Sequence, residues 1–254
     1  MMTHSEKKIY ICAVLKSELI VLKKKIKCVL KKKSEKIIDN AEIFKSSTNL
    51  TFIFETLNIG KINATLKTCA AINKYQPDII VHFGCCGVLK ENIKLGAIIL
   101  PNKLRECDSQ CVIDSNILTI KLNQEMPANA NIKKMPSGFD YKSEGILSAD
   151  TILLDKKLRD NLSEKFNGFI GYDMESYAVA RTANFFKTPI ILAKIAIDYC
   201  AIANKNLKFD NSKIYDINEI VKIYNQFNSE NLFKKNMDLL AEFLFELLIQ
   251  NIDG

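Results

Sequence analysis

Short apolar runs rich in isoleucine and valine recur along the chain, and they constrain its fold more than any other feature. Each is bounded by glycine, proline or polar residues, and they cover residues 9–15, 50–54, 78–83, 95–100, 168–172 and 189–193. Such runs are typical of strands that are buried on both faces of a sheet. Helical spacing of apolar residues lies between several of them, over residues 61–75 and 174–186. This alternation predicts an α/β fold, a three-layer α/β/α sandwich with a central mixed, mostly parallel sheet.

The rest of the pattern predicts one domain over residues 1–254, since no glycine- or serine-rich linker divides the chain. Residues 232–250 form the clearest helical pattern, with Asp238, Glu242 and Glu246 spaced four apart on one face. Its apolar residues need a partner, either the sheet or another subunit. The long irregular stretch 123–144 is typical of an active-site loop, a lid or a disordered segment. Both segments are candidates for contacts with a partner subunit.

Charge and hydropathy argue against several classes of protein. The net charge is +7, and residues 23–36 hold eight lysines and one glutamate. Because no aromatic residues are interleaved for base stacking, we interpret this stretch as a solvated face rather than a nucleic-acid site. No apolar run approaches the ~18 residues of a membrane helix, and the first run meets Lys16 and Glu18 without a signal cleavage pattern. We therefore expect a cytoplasmic protein that binds neither nucleic acid nor membranes.

Cysteine usage points to buried thiols. Eight cysteines occur at irregular spacings, and the chain has two histidines, which suits a reducing compartment and predicts no metal site and no cofactor. The segment Gly84-Cys85-Cys86-Gly87 follows a predicted strand as a turn. Its glycines would let the backbone approach a ligand, or they form a tight turn without function. A vicinal disulfide or a thiol nucleophile at the cysteines is a less favoured alternative, because His82 is the only histidine nearby in sequence.

Acidic residues follow three of the predicted strands. Glu18 comes just after the first strand, Asp173 and Glu175 follow residues 168–172, and Asp198 ends an apolar run. In an open α/β sheet the carboxyl ends of the strands line the ligand crevice. Each acid also has a structural interpretation as a helix cap, a first-turn acid or a turn residue.

Two of these acids have a chemical pattern of their own. Glu175 stands at the expected rim of the sheet, where a carboxylate can accept two hydrogen bonds from a vicinal diol such as ribose. Asp198 is reached through largely apolar positions, so we expect it to be partly desolvated. Burial favours the protonated form of a carboxyl group, which is the form that a general acid needs.

In this order the segments resemble the purine nucleoside phosphorylase/uridine phosphorylase superfamily over about residues 9–201, and within it the 5′-methylthioadenosine/S-adenosylhomocysteine nucleosidase branch. The segments similar to family motifs are Ile59-Gly60-Lys61-Ile62-Asn63-Ala64, Gly84-Cys85-Cys86-Gly87, Leu95-Gly96-Ala97, Ser148-Ala149-Asp150-Thr151-Ile152-Leu153 and Asp173-Met174-Glu175-Ser176. Asp198 falls at the family's catalytic aspartate. The Asp-Met-Glu-Ser form is also similar to a branch of phosphorylases associated with hopanoid synthesis.

The resemblance implies a nucleoside phosphorylase-like fold and roles for the matched residues. Asp198 would protonate or hydrogen-bond N7 of a purine, and Glu18 would orient and deprotonate the attacking water. Glu175 would hold the ribose hydroxyls, with Met174 packed against the sugar. Carboxylates near the ribose suit this chemistry, because glycosidic cleavage passes through an oxocarbenium-like state.

Four further residues are implied to bind the substrate, and several matched positions depart from the family. Gly84 and Cys85 belong to the glycine turn, and Ile152 and Leu153 to the base-binding stretch. The residues that replace a family residue are Cys85 for serine, Ala97 for aspartate, Ile152 for phenylalanine, Lys194 for arginine and Ile197 for serine. A lysine cannot copy the planar fork of a guanidinium group.

Three functions stay open on this evidence. Hydrolysis of a purine nucleoside leads, because Glu18 is present and no Gly-x-Pro-x-Arg phosphate loop follows the first strand. Phosphorolysis of a purine nucleoside or a lipid-linked adenosyl group is the second, and it would need phosphate as a partner. The third is a nucleoside-binding protein that has lost catalysis, which the substitutions suggest. The resemblance also implies a homodimer or a higher homo-oligomer with sites near the subunit interface.

Overall fold

The computed structural model describes residues 6–113, 116–119, 125–129, 132–200 and 230–252, together with the single positions 214, 216 and 219. Helices separate single strands or groups of strands along it. The strands are β1 Lys7–Ala13, β2 Lys32–Ile38, β3 Ala41–Ser46, β4 Leu50–Thr56, β5 Ile79–Val88, β6 Ile98–Ile99, β7 Lys103–Glu106, β8 Gln110–Ile113, β9 Asn116–Thr119, β10 Met126–Pro127, β11 Tyr141–Lys142, β12 Gly145–Ser148, β13 Phe169–Asp173 and β14 Ile190–Asp198. The helices are α1 Lys16–Val29, α2 Lys61–Tyr75, α3 Lys156–Lys165, α4 Ser176–Phe185 and α5 Glu230–Ile252.

A twelve-stranded sheet forms the centre of the molecule. Its middle strands β4, β1, β5 and β14 lie side by side and run parallel. Strand β12 also pairs in parallel with β13 and β7, whereas β13 runs antiparallel to β5. Antiparallel pairing of β2, β3 and β4 completes one side. The predicted mixed, mostly parallel sheet is therefore confirmed.

Helices cover both faces of this sheet. Along β1, Ile9 and Ile11 join the apolar cluster under α1 and α5, while Tyr10 and Cys12 join the cluster under α2 and α4. Successive side chains of a strand point to opposite faces, so each central strand buries both. This double burial explains the continuous apolar runs, and the three-layer architecture is confirmed.

The predicted strand over residues 95–100 is wrong at its beginning. Only Ile98–Ile99 pair as β6. Gly96 has a φ of 88°, and the Ala97 N–H donates to the Lys94 carbonyl at 3.0 Å. These features close a turn, so β6 begins only at Ile98, although Gly96 and Ala97 already exchange backbone hydrogen bonds with Ala196 at 2.8 and 3.0 Å.

The predicted turn at residues 84–87 is also wrong, because this segment continues β5 to Val88. Strand β14 pairs with it in parallel, with Lys194 opposite Gly84 and Asp198 opposite Gly87. Strand β13 then pairs with its last two residues. The glycines therefore lie inside a strand that has neighbours on both sides.

The helix predictions hold with small shifts. Helix α2 has the predicted bounds, and α5 extends slightly beyond them. Helix α4 begins at Ser176 rather than at Met174, because Glu175 stands at its N-cap with non-helical φ and ψ of −134° and −28°. Among the described residues, no helix is both long and apolar enough to cross a membrane.

The described part of the stretch 123–144 packs against α5 and does not form an active-site loop. Asn251 of α5 accepts hydrogen bonds from the Lys133 and Lys134 N–H groups at 2.9 and 3.1 Å. The Phe139 ring meets the Phe243 ring edge-on at 5.4 Å. None of its described residues lines the candidate active-site cavity. Residues 123, 124, 130 and 131 lie outside the described part of the chain.

Candidate active site

A cavity of about 210 Å³ opens where β1, β5, β13 and β14 end. Its lining consists of Val14, Leu15, Glu18, Ile59, Cys85, Cys86, Gly87, Thr151, Ile152, Leu153, Leu154, Tyr172, Asp173, Met174, Glu175, Ile197, Asp198 and Cys200. The acids at positions 18, 175 and 198, far apart in the chain, therefore meet in one hollow. Every site residue predicted from the sequence lines this cavity except Gly84.

Glu18, in the first turn of α1, is held by two backbone donors. Its Oε2 accepts a hydrogen bond from the Leu15 N–H at 2.9 Å, and its Oε1 accepts one from the Cys85 N–H at 2.9 Å. Only 3% of the residue is exposed. Gly84 makes this approach sterically feasible, because a Cβ there would lie 2.7 Å from Glu18 Oε1. Gly84 thus orients the carboxylate rather than lining the cavity.

Glu175 lies between β13 and α4, with 4% of its surface exposed. Its Oε1 accepts a hydrogen bond from the Gly60 N–H at 2.8 Å, which joins the start of α2 to the site. Burial, reinforced by the nearby Asp173 carboxylate, raises the pKa of Glu175 to about 8. The protonated form therefore predominates at neutral pH in the free protein.

An ion pair that the sequence analysis missed lies beneath Glu175. The Lys194 Nζ is 3.0 Å from Asp173 Oδ2, and Lys194 is 1% exposed. Burial alone would lower the pKa of Lys194, but Asp173, Glu175 and Glu18 outweigh it and hold the pKa above its usual value. The sequence signal for this ion pair was a lysine inside the otherwise apolar run of β14, because a buried lysine needs an acidic partner.

Asp173 keeps its charge through the same contacts. Burial would raise the pKa of Asp173, but the Lys194 ammonium and the hydroxyls of Ser148 and Ser176 bring it below its usual value. The Ser148 hydroxyl donates to Asp173 Oδ1 at 2.6 Å. The Ser176 N–H also donates to this oxygen, at 3.2 Å. Asp173 thus accepts a hydrogen bond from the first N–H of α4, as its predicted capping role requires, although Glu175 occupies the N-cap position itself.

Asp198 ends β14 in a tight turn and is half-buried, as expected. Its Oδ1 accepts a hydrogen bond from the Cys200 N–H at 2.6 Å. Cys200 adopts a left-handed φ of 51°. The turn lies directly over Gly87, where a Cβ would collide with Cys200 Sγ and lie 2.9 Å from Asp198 Oδ1. The absence of a side chain at Gly87 therefore allows Asp198 to occupy this position.

The thiols in this region are not poised for nucleophilic attack. Cys85 and Cys86 are free, and burial raises the pKa of both thiols. His82 lies against Cys12 instead, with its Nδ1 3.8 Å from Cys12 Sγ, and burial and the Lys194 charge lower the pKa of His82 to about 3. A neutral imidazole and neutral thiols offer no thiolate–imidazolium pair. The vicinal disulfide considered from the sequence is not formed.

Apolar side chains make up most of the remaining wall. Ile152, Leu153, Met174 and Ile197 all face the cavity. The segment that carries the first two is tied to β13, because the Tyr172 hydroxyl donates to the Thr151 carbonyl at 2.9 Å. This combination of a few convergent polar groups with apolar walls is typical of a small-molecule site.

Replacing Gly87 with alanine should impair both stability and any activity of this cavity. The new methyl group must displace Cys200 and Asp198, so we expect a loss of about 1–3 kcal/mol in the free energy of unfolding, as for other overpacked sites. Denaturant melts and binding or turnover assays measure the two effects. Gly138→Ala is the control, because nothing lies within 4 Å of its added Cβ, and its positive φ, which Gly87 does not share, adds backbone strain alone. Binding and turnover by Gly87→Ala that match those of Gly138→Ala would contradict the proposed collision.

The stability of Glu175→Gln relative to the wild type should rise as the pH increases. The pKa of Glu175 is raised from 4.5 to about 8 in the folded state. Ionising this carboxyl group therefore costs the wild type a growing penalty between those pH values, reaching a few kcal/mol. Glutamine carries no such penalty, so its melting temperature relative to wild type should rise from pH 5 to pH 8 and then level off. Glu242→Gln, at a half-exposed surface ion pair, should show no comparable trend; a pH-independent difference for Glu175→Gln would contradict the shift.

A hollow lined by acids at the carboxyl ends of parallel strands defines an α/β enzyme site for a small molecule. The chain belongs to the phosphorylase superfamily, whose family model matches residues 39–225. This membership agrees with the resemblance drawn from the motifs.

Relatives of known name fall in the same family. The 5′-methylthioadenosine/S-adenosylhomocysteine nucleosidase of Buchnera aphidicola subsp. Schizaphis graminum is 28% identical over 184 residues, which cover 69% of this chain and 78% of that protein. The solved nucleosidase of the same name from Helicobacter pylori covers 97% of this chain and 100% of its own, with a TM-score of 0.73 and 17% identity. The futalosine hydrolase of H. pylori strain 26695 covers 96% and 98%, with a TM-score of 0.73 and 18% identity. These structural similarities show a shared fold.

Proposed function

We propose that this protein hydrolyses the N-glycosidic bond of a purine nucleoside, in the manner of a 5′-methylthioadenosine/S-adenosylhomocysteine nucleosidase. The observation that carries the proposal is the meeting of Glu18, Glu175 and Asp198 in one apolar-walled cavity. Relatives named as such nucleosidases, including the 28% identical Buchnera protein, support it.

Each acid suits one part of the substrate. Asp198 donates a proton or a hydrogen bond to N7 of the purine, so the base leaves as a neutral group. Glu175 binds the ribose hydroxyls with Met174 against the sugar ring. The base lies along Ile152 and Leu153, where the cavity is apolar.

Glu18 provides the site for water. Both of its oxygens accept backbone N–H groups, which fixes the carboxylate so that it can orient a water and take its proton. The charge of the Glu18 carboxylate also stabilises the positive charge that develops on the sugar in the oxocarbenium-like transition state.

Hydrolysis is favoured over phosphorolysis by the charge of the lining. Phosphate sites use arginine, lysine or helix N-termini. None of the residues that line this cavity in the described part of the chain is basic, and the Leu15 and Ser176 N–H groups at the starts of α1 and α4 already donate to Glu18 and Asp173. Lys194 lies behind Asp173 and is paired with it. A phosphate dianion would therefore face carboxylates without a cation to hold it.

The test is release of free base from a panel of nucleosides in phosphate-free buffer and then in phosphate. The panel contains 5′-methylthioadenosine, S-adenosylhomocysteine, adenosine, inosine and futalosine, because structural neighbours with the same fold are named for different substrates. We expect release of free base and free sugar without phosphate. Release that requires phosphate, with a sugar phosphate as the product, would overturn hydrolysis; tight binding without release would overturn catalysis.

We further propose that the protein forms a homodimer through the face of α2 and α4. Ile62, Leu66 and Phe185 are strongly exposed there, Phe185 at 79%, around a hollow that includes Lys61 and Asp150. Lys61 follows the Gly60 that binds Glu175, so a second copy on this face would reach the margin of the site. Light scattering of the wild type and of Leu66→Asp tests this: a dimer that becomes a monomer supports it, and an unchanged mass in both contradicts it.

A further inference from the structure

The turn that follows Asp198 is held from outside the cavity by a buried arginine. Arg159 of α3 is 3% exposed, and its Nη1 donates a hydrogen bond to the Tyr199 carbonyl at 3.3 Å. Its Nη2 donates to Glu91 and to Asp160 at 2.8 and 2.7 Å. The guanidinium thus joins α3, the segment after β5 and the residue next to Asp198.

The turn itself is under strain and needs such support. Cys200 is a non-glycine residue with a left-handed φ of 51°, a conformation that costs on the order of 1–3 kcal/mol unless the surroundings enforce it. Its N–H binds Asp198 Oδ1, so the conformation of the turn decides where that carboxyl oxygen lies. Gly87 supports the turn from the sheet side, and Arg159 supports it from the α3 side.

We propose that Arg159 is a positioning residue for Asp198, which acts by fixing the Tyr199 carbonyl and with it the turn. This inference rests on the proposed function, in which Asp198 assists departure of the base. Arg159 does not line the cavity. Loss of the Arg159 side chain should therefore lower kcat more than it raises KM. The effect should be limited to substrates whose leaving group must be protonated by Asp198.

A purely structural role is the alternative, because Arg159 also makes two ion pairs. Lys156 offers a matched control on the same helix. It contacts the same two acids, Glu91 at 3.8 Å and Asp160 at 2.7 Å. Its side chain is 65% exposed, and among the described residues it pairs with these two surface acids alone. A loss of charge on α3 is thus separable from a loss of the bond to Tyr199.

The experiment compares Arg159→Gln, Arg159→Lys and Lys156→Gln in the full chain. Two substrates are used: the purine nucleoside that the wild type hydrolyses best, and 4-nitrophenyl riboside, whose leaving group departs without a proton. We expect Arg159→Gln to lower kcat for the nucleoside about 10-fold, since small misplacements of catalytic groups have effects of this size or more. We expect little change for the nitrophenyl substrate and none for Lys156→Gln. Arg159→Lys should fall between wild type and Arg159→Gln.

Equal losses on both substrates would overturn the inference, and so would a nucleoside kcat that stays at the wild-type value. The Asp198→Asn background provides a second readout: there, Arg159→Gln should cause almost no further loss, and an additive loss contradicts the inference. Thermal melts identify unfolded variants, and if Arg159→Gln does not fold, Arg159→Lys carries the same comparisons. If Asp198→Asn alone leaves turnover unchanged, the proposed function fails; if Asp198→Asn is impaired and the Arg159 variants are not, only this inference fails.

Discussion

Asp198→Asn is expected to lower kcat for release of the purine by about 10²–10⁴-fold, the usual contribution of a general acid. The asparagine side chain cannot give a proton to the leaving base. Its amide oxygen can still accept the hydrogen bond from the Cys200 N–H, so the turn should persist and the melting temperature should change little. Steady-state assays of base release, together with thermal melts, measure both quantities.

Asp78→Asn is the matched control for this substitution. Asp78 lies just before β5, at the opposite edge of the sheet, where its Oδ2 accepts a hydrogen bond from the Lys8 N–H at 2.7 Å. The same chemical change there should leave kcat at the wild-type value. If Asp198→Asn also retains full activity, the leaving-group role assigned to Asp198 is wrong.

Glu18→Gln is expected to abolish most hydrolysis, with a loss of similar size, about 10²–10⁴-fold. The amide is a poor base, so the water loses the group that takes its proton. In the wild type each carboxylate oxygen of Glu18 accepts a hydrogen bond from a backbone N–H group. The glutamine side chain has only one oxygen, so one of these buried N–H groups loses its acceptor, which should lower the free energy of unfolding by about 1–3 kcal/mol. Rapid-quench assays and denaturant melts measure the two losses separately.

Nucleoside binding without hydrolysis would separate this role of Glu18 from a loss of the folded structure. Nucleoside binding by calorimetry should persist in Glu18→Gln, because the base and ribose contacts assigned to other residues remain. Glu242→Gln on the surface of α5, which loses only its ion pair with Lys25, should behave as wild type in both assays. Hydrolysis by Glu18→Gln at the wild-type rate would show that the water is activated elsewhere.

The convergence of the three acids could be predicted from the sequence because it follows from sheet topology. Glu18, Glu175 and Asp198 come just after apolar runs, and parallel strands bring their carboxyl ends to one edge. The structure places these runs at β1, β13 and β14 around one cavity. Strand β13 runs antiparallel to β5 but parallel to β12, and its end still reaches the same hollow.

Contacts between distant segments could not be predicted in the same way. Gly84 suggested a turn, whereas the structure shows a strand residue whose missing Cβ admits the Glu18 carboxylate. Arg159 gave no signal, since an arginine on a helix is usually exposed. Each of these contacts depends on which side chain meets which across the fold, and periodicity carries no information on that.

The buried pair of Lys194 and Asp173 gives a physical meaning to one departure from the family. Lysine stands where the family has arginine, and a single ammonium suffices to neutralise Asp173 at 3.0 Å. Ile152 and Ile197, which replace a phenylalanine and a serine, make the wall more aliphatic instead. These two changes alter the part of the wall against which a nucleoside would pack.

A crystal structure of the protein with a purine nucleoside analogue, in which a carbon–carbon bond joins base and sugar, tests the central claim most directly. We predict that Asp198 lies within hydrogen-bond distance of position 7 of the base, that Glu175 contacts both ribose hydroxyls, and that a water bound to Glu18 faces the anomeric carbon. An analogue bound with its sugar away from these three carboxyl groups would contradict the account.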